Sequence, residues 1–430
     1  MPGITRRRFI EVAGGATALA LGGALPRRAA ADEHRVVVVG GGAGGCIVAQ
    51  ELARSGAPVH VTLIELAPSY HAPYMSNEVL SGARTLDSIR FSYDGLRERG
   101  ITVIQGRVSG IDPDTRTVRT DDGRTFGYDR LVLSPGIDFD AGAIEGYPEA
   151  GDRMPHAWGQ VHAEGHQIVL LRNQIQGMRK GGTVIISVPP RPYRCPAGPY
   201  ERASQIAAYL SVHNPTAKIL ILDSQYDFDK QRLVMDAWQE LYPGMIDWVS
   251  ARDTGGGVKR VDARNMEIWT GTARYVADVA NIIPPQSAAR LALDAGLADD
   301  TGWCPVDPRT FESRLMPDVH VVGDSCTAPD LTKTAQAANS QAKVCAAGLL
   351  AVLDGREPVV PRYMDQDYSV LAPDYALVSA AVYRLSPDGQ RIVQISGGHS
   401  TPHLPSAQHR RREVDYAHSW YNNIAQEMFQ

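Results

Sequence analysis

The chain has 430 residues, 43 basic against 48 acidic side chains, a net charge of −5 and 43% hydrophobic residues. That length exceeds what one hydrophobic core supports and points to two or three domains, while the acidic balance argues against nucleic acid as a partner. No repeat, heptad or low-complexity run is evident, and the five cysteines, an odd number, cannot pair completely within one molecule.

Residues 1–31 read as an export signal. Thr5-Arg6-Arg7-Arg8-Phe9-Ile10 fits the twin-arginine pattern, residues 12–25 are apolar and rich in small side chains, and Ala29-Ala30-Ala31 offers a cleavage site before Asp32. The apolar stretch falls short of the roughly 20 residues needed to cross a bilayer, so a periplasmic protein without a stable membrane span is expected. Cleavage removes Arg6, Arg7, Arg8, Arg27 and Arg28 with Glu11, which leaves the chain more acidic.

Residues 36–39 form an apolar run that feeds Gly40-Gly41-Gly42-Ala43-Gly44-Gly45. A helix over 46–54, a second strand over 61–64 and Glu65 at its end complete the unit. Strand, G-x-G-x-x-G turn (Gly40, Gly42, Gly45), helix, strand and acid in that order bind a dinucleotide. The glycines let backbone approach a pyrophosphate, the helix N-terminus offers free N–H groups, and Glu65 accepts from ribose hydroxyls.

Residues 68–90 read as loop and short helix, 101–108 as a strand, and 117–126 as a hairpin turning at Asp122-Gly123. A helix over 166–178 opens a second unit, with a buried strand over 182–188, a helix over 201–210 and a strand over 218–223. The turn of this second unit is Pro189-Pro190-Arg191-Pro192-Tyr193-Arg194-Cys195-Pro196-Ala197-Gly198-Pro199-Tyr200. Its prolines and arginines offer neither close backbone approach nor a run of free N–H groups, so a nicotinamide site is not expected. A strand over 276–285 follows. Residues 319–322 form an apolar strand ending in Gly323-Asp324, and 339–350 a helix. From about 357 a separate tail carries strands over 375–383 and 390–395, joined by Ser386-Pro387-Asp388-Gly389, and then a helix.

This arrangement resembles the two-dinucleotide-domain flavoproteins, in which an aspartate placed like Asp324 bonds the ribityl chain; the resemblance implies FAD at the first site. Residues 128–136, ending Ser134-Pro135-Gly136, resemble the strand and turn that return to the cofactor there. The residues expected at FAD are Gly40, Gly42, Gly45, Glu65, Asn77, Val108, Ser134, Gly136 and Asp324. Cys46, Cys345 and Cys304 read as small packed groups, no spacing matches a metal site, and Cys195 and Cys326 stay open.

More specifically, the chain resembles the flavoprotein subunit of flavocytochrome c sulfide dehydrogenase. The likeness lies in Tyr74-Met75-Ser76-Asn77-Glu78-Val79, Tyr93-Asp94-Gly95-Leu96, the run from Arg194 to Ala203, Ile283-Pro284-Pro285-Gln286, Gly302-Trp303-Cys304-Pro305-Val306-Asp307, Ala338-Asn339-Ser340-Gln341 and Ser419-Trp420-Tyr421-Asn422-Asn423. It implies two Rossmann-like dinucleotide-binding domains of glutathione-reductase type plus a C-terminal α+β interface domain. The first domain would comprise 32–150 and 286–356, the second 151–285 and the third 357–430. It further implies a periplasmic enzyme that oxidises sulfide and passes electrons to a c-type cytochrome subunit.

Two departures stand out. The family's cysteine bonded to flavin falls where this chain has Ala72-Pro73, so FAD is expected without a covalent bond. The family's second redox cysteine falls in 363–369, where this chain has Asp367, so Cys195 lacks its partner. In such enzymes sulfide attacks a disulfide, and the released thiolate passes two electrons to the flavin, a step that needs a sulfur leaving group. Cys195 is therefore read either as a thiol activated by Arg191, Arg194 or Arg202 or as a cysteine without chemistry, with Cys326 a candidate substitute. Asp367 reads as a polar contact to the flavin or as a solvated loop acid. His71 and Lys333 fall in loops expected near the flavin ring, and Trp420 and Tyr421 over the substrate pocket or in the core. An FAD-carrying relay subunit without sulfide activity remains the alternative to the enzyme.

Overall fold

The computed structural model describes residues 33–157, 167–328, 330–395 and 398–430. The twin-arginine segment, its cleavage site and His166 lie outside the described residues.

A five-stranded parallel sheet carries the first unit. Its strands are β1 (His34–Val39), β2 (Val59–Glu65), β3 (Thr102–Gln105), β4 (Arg130–Leu133) and, far along the chain, a strand over Val319–Val321, in the spatial order last-β4-β1-β2-β3. Val36 sits opposite Val61 on one side and Arg130 on the other. The valines of β1 are all buried because helices cover both faces, as parallel sheets require. Helix α1 (Ala43–Arg54) begins three residues before the expected start, because Gly44 and Gly45 form its first turn rather than the preceding loop.

The second sheet is parallel as well. It consists of β5 (Thr183–Val188), β6 (Lys218–Asp223), β7 (Ile246–Val249) and β8 (Val279–Asn281), in the order β7-β6-β5-β8. Helix α2 (Gln167–Gln176) precedes it, and α3 (Gly198–His213) and α4 (Gln231–Leu241) are its crossovers. Val319–Val321, hereafter β9, leads to α5 (Ala335–Leu353), an alanine-rich helix that packs on α1. Small side chains on both helices permit that close approach.

The C-terminal part is antiparallel: β10 (Arg362–Ala372), β11 (Tyr375–Leu385) and β12 (Ile392–Gln394), followed by α6 (Ala407–Phe429). The pairing places Asp367 opposite Ser379 and Asp365 opposite Ala381.

Two expected strands are corrected. The strand over 101–108 divides at Gly106 into β3 and a separate hairpin strand, Val108–Asp112, where Gly106 N donates to Glu65 O. The strand over 276–285 divides between two sheets, as Arg274–Val276 and β8. The hairpin at Asp122-Gly123 is present, with Gly123 at φ +87° as the turn demands, but β10 was not foreseen. Among the described residues no helix is long and apolar enough to cross a membrane.

Candidate active site

A cavity of about 950 Å³ runs from the glycine turn after β1 to Cys195, within the range that holds small ligands and cofactors. Gly40 takes φ +99°, and a β-carbon there would overlap the Ser134 carbonyl oxygen. Beside Gly41 the Tyr93 hydroxyl lies 2.7 Å from where a β-carbon would sit, whereas Gly42 has only Tyr70 at 3.7 Å and so opens onto the cavity. The first amide of α1 to find a backbone carbonyl is that of Cys46, on Gly42 O at 3.0 Å. Among the described residues the amides of Ala43, Gly44 and Gly45 have no acceptor, and the first helical turn holds no acid. That is an anion cradle at a helix N-terminus. Glu65 at the end of β2 accepts from Gly41 N at 2.6 Å and Ala67 N at 2.9 Å, which fixes the turn and leaves further lone pairs for a ribose.

The expected cofactor residues separate into two groups. Gly40, Gly42, Glu65, Val108, Ser134, Gly136 and Asp324 line the cavity. Gly45 does not; its missing side chain admits the Gly40 carbonyl, so it serves the packing of α1 on β1. Asn77 lines the cavity, yet its amide is committed elsewhere: Nδ2 donates to Glu201 Oε2 at 2.7 Å and Oδ1 accepts from Arg202 Nε at 3.1 Å. The Asp324 carboxylate, which follows β9, is joined by Arg194 Nε at 2.7 Å. Arg194 thus turns from the proline-rich loop toward the first unit.

The same loop carries Cys195, held at φ +51° by its N–H on Lys333 O at 2.8 Å and its carbonyl on Gly198 N at 2.8 Å. It is the one cysteine among the described residues that lines the cavity. Of the three arginines expected to act on it, Arg202 interacts electrostatically with Cys195, whereas Arg191 and Arg194 are engaged elsewhere. Arg191 is exposed and lies 3.9 Å from Asp227, Arg194 is on Asp324, and Arg202 spends its guanidinium on Asn77, Asn281 and the His156 and Ala157 carbonyls. Burial pushes the Cys195 thiol well up, Asp367 and Glu201 add to this, and Lys230 opposes it. Asp367 is no solvated loop acid. It stands on β10, lines the cavity and pairs with Lys230 Nζ at 2.5 Å, an ammonium only 3% exposed. Lys230 precedes α4 and carried no sequence signal.

Cys326 does not substitute for the missing partner: it is buried away from the cavity, its Sγ is 3.3 Å from Gln341 Oε1, and burial pushes its thiol up to about 12. Cys46, Cys304 and Cys345 are buried. Lys333 lines the cavity and is largely buried, with Nζ on Asp324 O and Cys326 O at 2.7 and 3.0 Å and lying 3.8 Å from the Trp303 ring centre. His71 and Trp420 line the cavity, whereas Tyr421 packs in the core. No group of three metal-ligating side chains occurs among the described residues.

In the second unit the acid that ends β6, Asp223, occupies the place Glu65 has in the first. It is fully buried and already bonded by Tyr200 Oη at 2.6 Å, Trp248 Nε1 at 2.7 Å and Gln225 N at 2.8 Å. Tyr200 stacks on Phe228 with ring centres 3.7 Å apart. Asp223 is thus enclosed by Tyr200, Trp248 and, through the stack, Phe228.

Two parallel dinucleotide-type sheets, the first with an open cradle, define a two-domain flavoprotein oxidoreductase. Comparison with known families agrees. The pyridine nucleotide-disulphide oxidoreductase model matches residues 34–163. The model for the central part of the sulfide dehydrogenase [flavocytochrome c] flavoprotein chain matches 168–284, and that for flavocytochrome c sulphide dehydrogenase, flavin-binding, matches 359–429. The models and relatives that the chain matches are those of FAD-dependent, sulfide-oxidising flavoproteins, and its cofactor is FAD. It is 25% identical to the mitochondrial sulfide:quinone oxidoreductase of Mus musculus over 328 residues, 73% of this chain and 70% of the mouse protein. With that of Dictyostelium discoideum it shares 23% over 59% of this chain and 56% of the relative. The fold is that of the sulfide:quinone oxidoreductase of Aquifex aeolicus, at a TM-score of 0.69 and 18% identity over 92% of each chain.

Proposed function

We propose that the chain is a periplasmic oxidoreductase that takes two electrons from sulfide or another small reduced sulfur compound at Cys195 and delivers them singly to a c-type cytochrome. The observation that carries this reading is the position of Cys195: one thiol in the wall of the cavity that begins at the dinucleotide cradle. FAD, when bound, supplies the two-to-one-electron conversion. The residues that would hold its ends are the amides of Ala43 and Gly44 and the Glu65 carboxylate at the dinucleotide portion, and Asp324 with Arg194 and Lys333 further along the cavity. The cytochrome is favoured as acceptor because two of the matching family models describe a flavocytochrome c chain. The twin-arginine pattern supports the periplasm. FAD held without a covalent bond is favoured by the stretch after Ser69–His71, where Ala72 and Pro73 line the cavity and no cysteine does. Acid precipitation then leaves the flavin in the supernatant; a yellow pellet refutes that part.

A second reading, a relay subunit without sulfide activity, is favoured by Asp367, paired with Lys230, in the segment where the resemblance expects the second redox cysteine. Anaerobic addition of sulfide to the FAD-loaded protein separates the two. Bleaching of the flavin in the natural chain, lost in Cys195→Ser, supports the enzyme; an unchanged spectrum together with tight binding of a c-type cytochrome supports the relay.

A further inference from the structure

The loop that presents Cys195 is anchored to residues far along the chain. Arg194 N donates to Gln286 Oε1 at 2.8 Å, Arg194 Nε to Asp324 Oδ2 at 2.7 Å, and Cys195 N to Lys333 O at 2.8 Å. Lys333 Nζ in turn donates to Asp324 O at 2.7 Å, so two of the anchor points are themselves joined. Cys195 depends on such anchors, because a residue other than glycine keeps φ +51° only where its surroundings enforce it.

Arg194 occupies a place shaped for it. Gly136, in the turn after β4, lies at φ +78°, and a β-carbon there would come within 2.8 Å of Arg194 Nη2, so the glycine leaves room for the guanidinium. The side chains of Arg194 and Asp324 are 16% and 14% exposed, and removing either leaves a largely enclosed charge unpaired. Both line the cavity together with Cys195 and Lys333. Asp324 gives Oδ2 to Arg194, while its Oδ1 accepts no hydrogen bond among the described residues and is left for the cofactor.

We propose that Arg194 is the positioning residue that couples the two halves of the site: its pair with Asp324 locks the Cys195 loop onto the carboxylate that serves FAD, so that cofactor binding and placement of the thiol reinforce each other. The proposal rests on the reading of Cys195 as the sulfur-handling thiol. Coupling of this kind is reciprocal: what FAD contributes to the order of the loop, the loop contributes to the affinity for FAD.

The test follows amide hydrogen exchange by mass spectrometry on the FAD-loaded protein, together with the dissociation constant of FAD and sulfide-dependent bleaching of the flavin. In Arg194→Met, kept saturated with FAD, the peptide carrying the Cys195 amide exchanges at least about tenfold faster while β5 and β6 exchange as in the natural chain, and the FAD dissociation constant rises about tenfold. The limiting rate of bleaching falls about tenfold or more, the scale of a misplaced reacting group, while the sulfide concentration that gives half that rate stays within about twofold. Arg194→Lys keeps the charge without the planar guanidinium and recovers these properties in part. Arg191→Met, at the exposed neighbour beside Asp227, changes none of them. A merely structural loss quickens exchange across β5 and β6 as well. That outcome, exchange at the Cys195 peptide within about twofold of the natural chain, or an unchanged FAD dissociation constant overturns the proposal. Should Arg194→Met fail to fold, the natural protein decides: equal exchange at the Cys195 peptide with and without FAD overturns the coupling. If the natural protein is not bleached by sulfide, the functional reading above fails while exchange and FAD affinity still decide on the coupling.

Discussion

Gly42 and Gly45 belong to one motif but have opposite surroundings, so alanine at each separates cofactor binding from folding. At Gly45 a β-carbon overlaps the Gly40 carbonyl oxygen and falls 3.1 Å from the Gly40 carbonyl carbon and 3.3 Å from Val38 Cγ1. The two nearest obstructing atoms are backbone of the turn that follows β1, so α1 must move outward against α5. Overpacking of this kind costs about 1–3 kcal/mol, which at about 2–4 °C per kcal/mol lowers the melting temperature by roughly 2–12 °C. At Gly42 the nearest atom is Tyr70 Cε2 at 3.7 Å, an ordinary contact, and the new methyl projects into the cavity. Gly42→Ala therefore leaves the flavin-free protein within about 0.5 kcal/mol of the natural one while reducing FAD content. Thermal unfolding of flavin-free and FAD-loaded protein, with flavin-to-protein absorbance ratios, measures both. A Gly45→Ala protein that melts like the natural chain refutes the packing argument; equal loss of flavin-free stability in both variants refutes the division of roles.

Two further outcomes follow from the buried groups. Glu201 at about 8 and Asp365 at about 7 bind protons in the folded chain that the unfolded chain releases near pH 4 to 5. Their contribution is thus present in full at low pH and lost as pH rises through 7 and 8. The melting temperature is expected to fall between pH 5.5 and 8.5, and Glu201→Gln flattens that fall; a pH-independent transition contradicts it. Tyr200→Phe removes one of three donors to the buried Asp223 and keeps the stack on Phe228, so denaturant unfolding is expected to show a loss of about 1–3 kcal/mol. A neutral result would mean that Trp248 and Gln225 suffice.

The parts of the molecule that the sequence made legible are those whose logic is local. The turn after β1, Glu65 and the proline-filled second turn each lie within a short run of chain, and each could be read from spacing and residue type. The start of α1 was misjudged because Gly44 and Gly45 look like loop, and only the proximity of Ser134 and Gly40 explains their presence in a helix. Strand β10 escaped notice because Asp365 and Asp367 break its apolar pattern; Asp367 lines the cavity, and Asp365 is buried on the hydroxyls of Thr332 and Thr334. The pairings Arg194 with Asp324 and Lys230 with Asp367 span 130 and 137 residues. No local pattern announces such contacts, and of the arginines near Cys195 in sequence two, Arg191 and Arg194, turn to other carboxylates. Asn77 illustrates the same limit: the residue is at the cavity, but which way its amide is spent depends on α3.

The occupied end of β6 sets a boundary for redesign. Grafting a glycine-rich loop over residues 189–200 would supply backbone donors for a diphosphate, but Asp223 has its acceptor positions engaged by Tyr200, Trp248 and Gln225, and Phe228 stacks on Tyr200. Converting this scaffold to a pyridine-nucleotide reductant would mean emptying that aromatic nest as well as rewriting the loop, and the emptied nest is part of what keeps the second sheet folded.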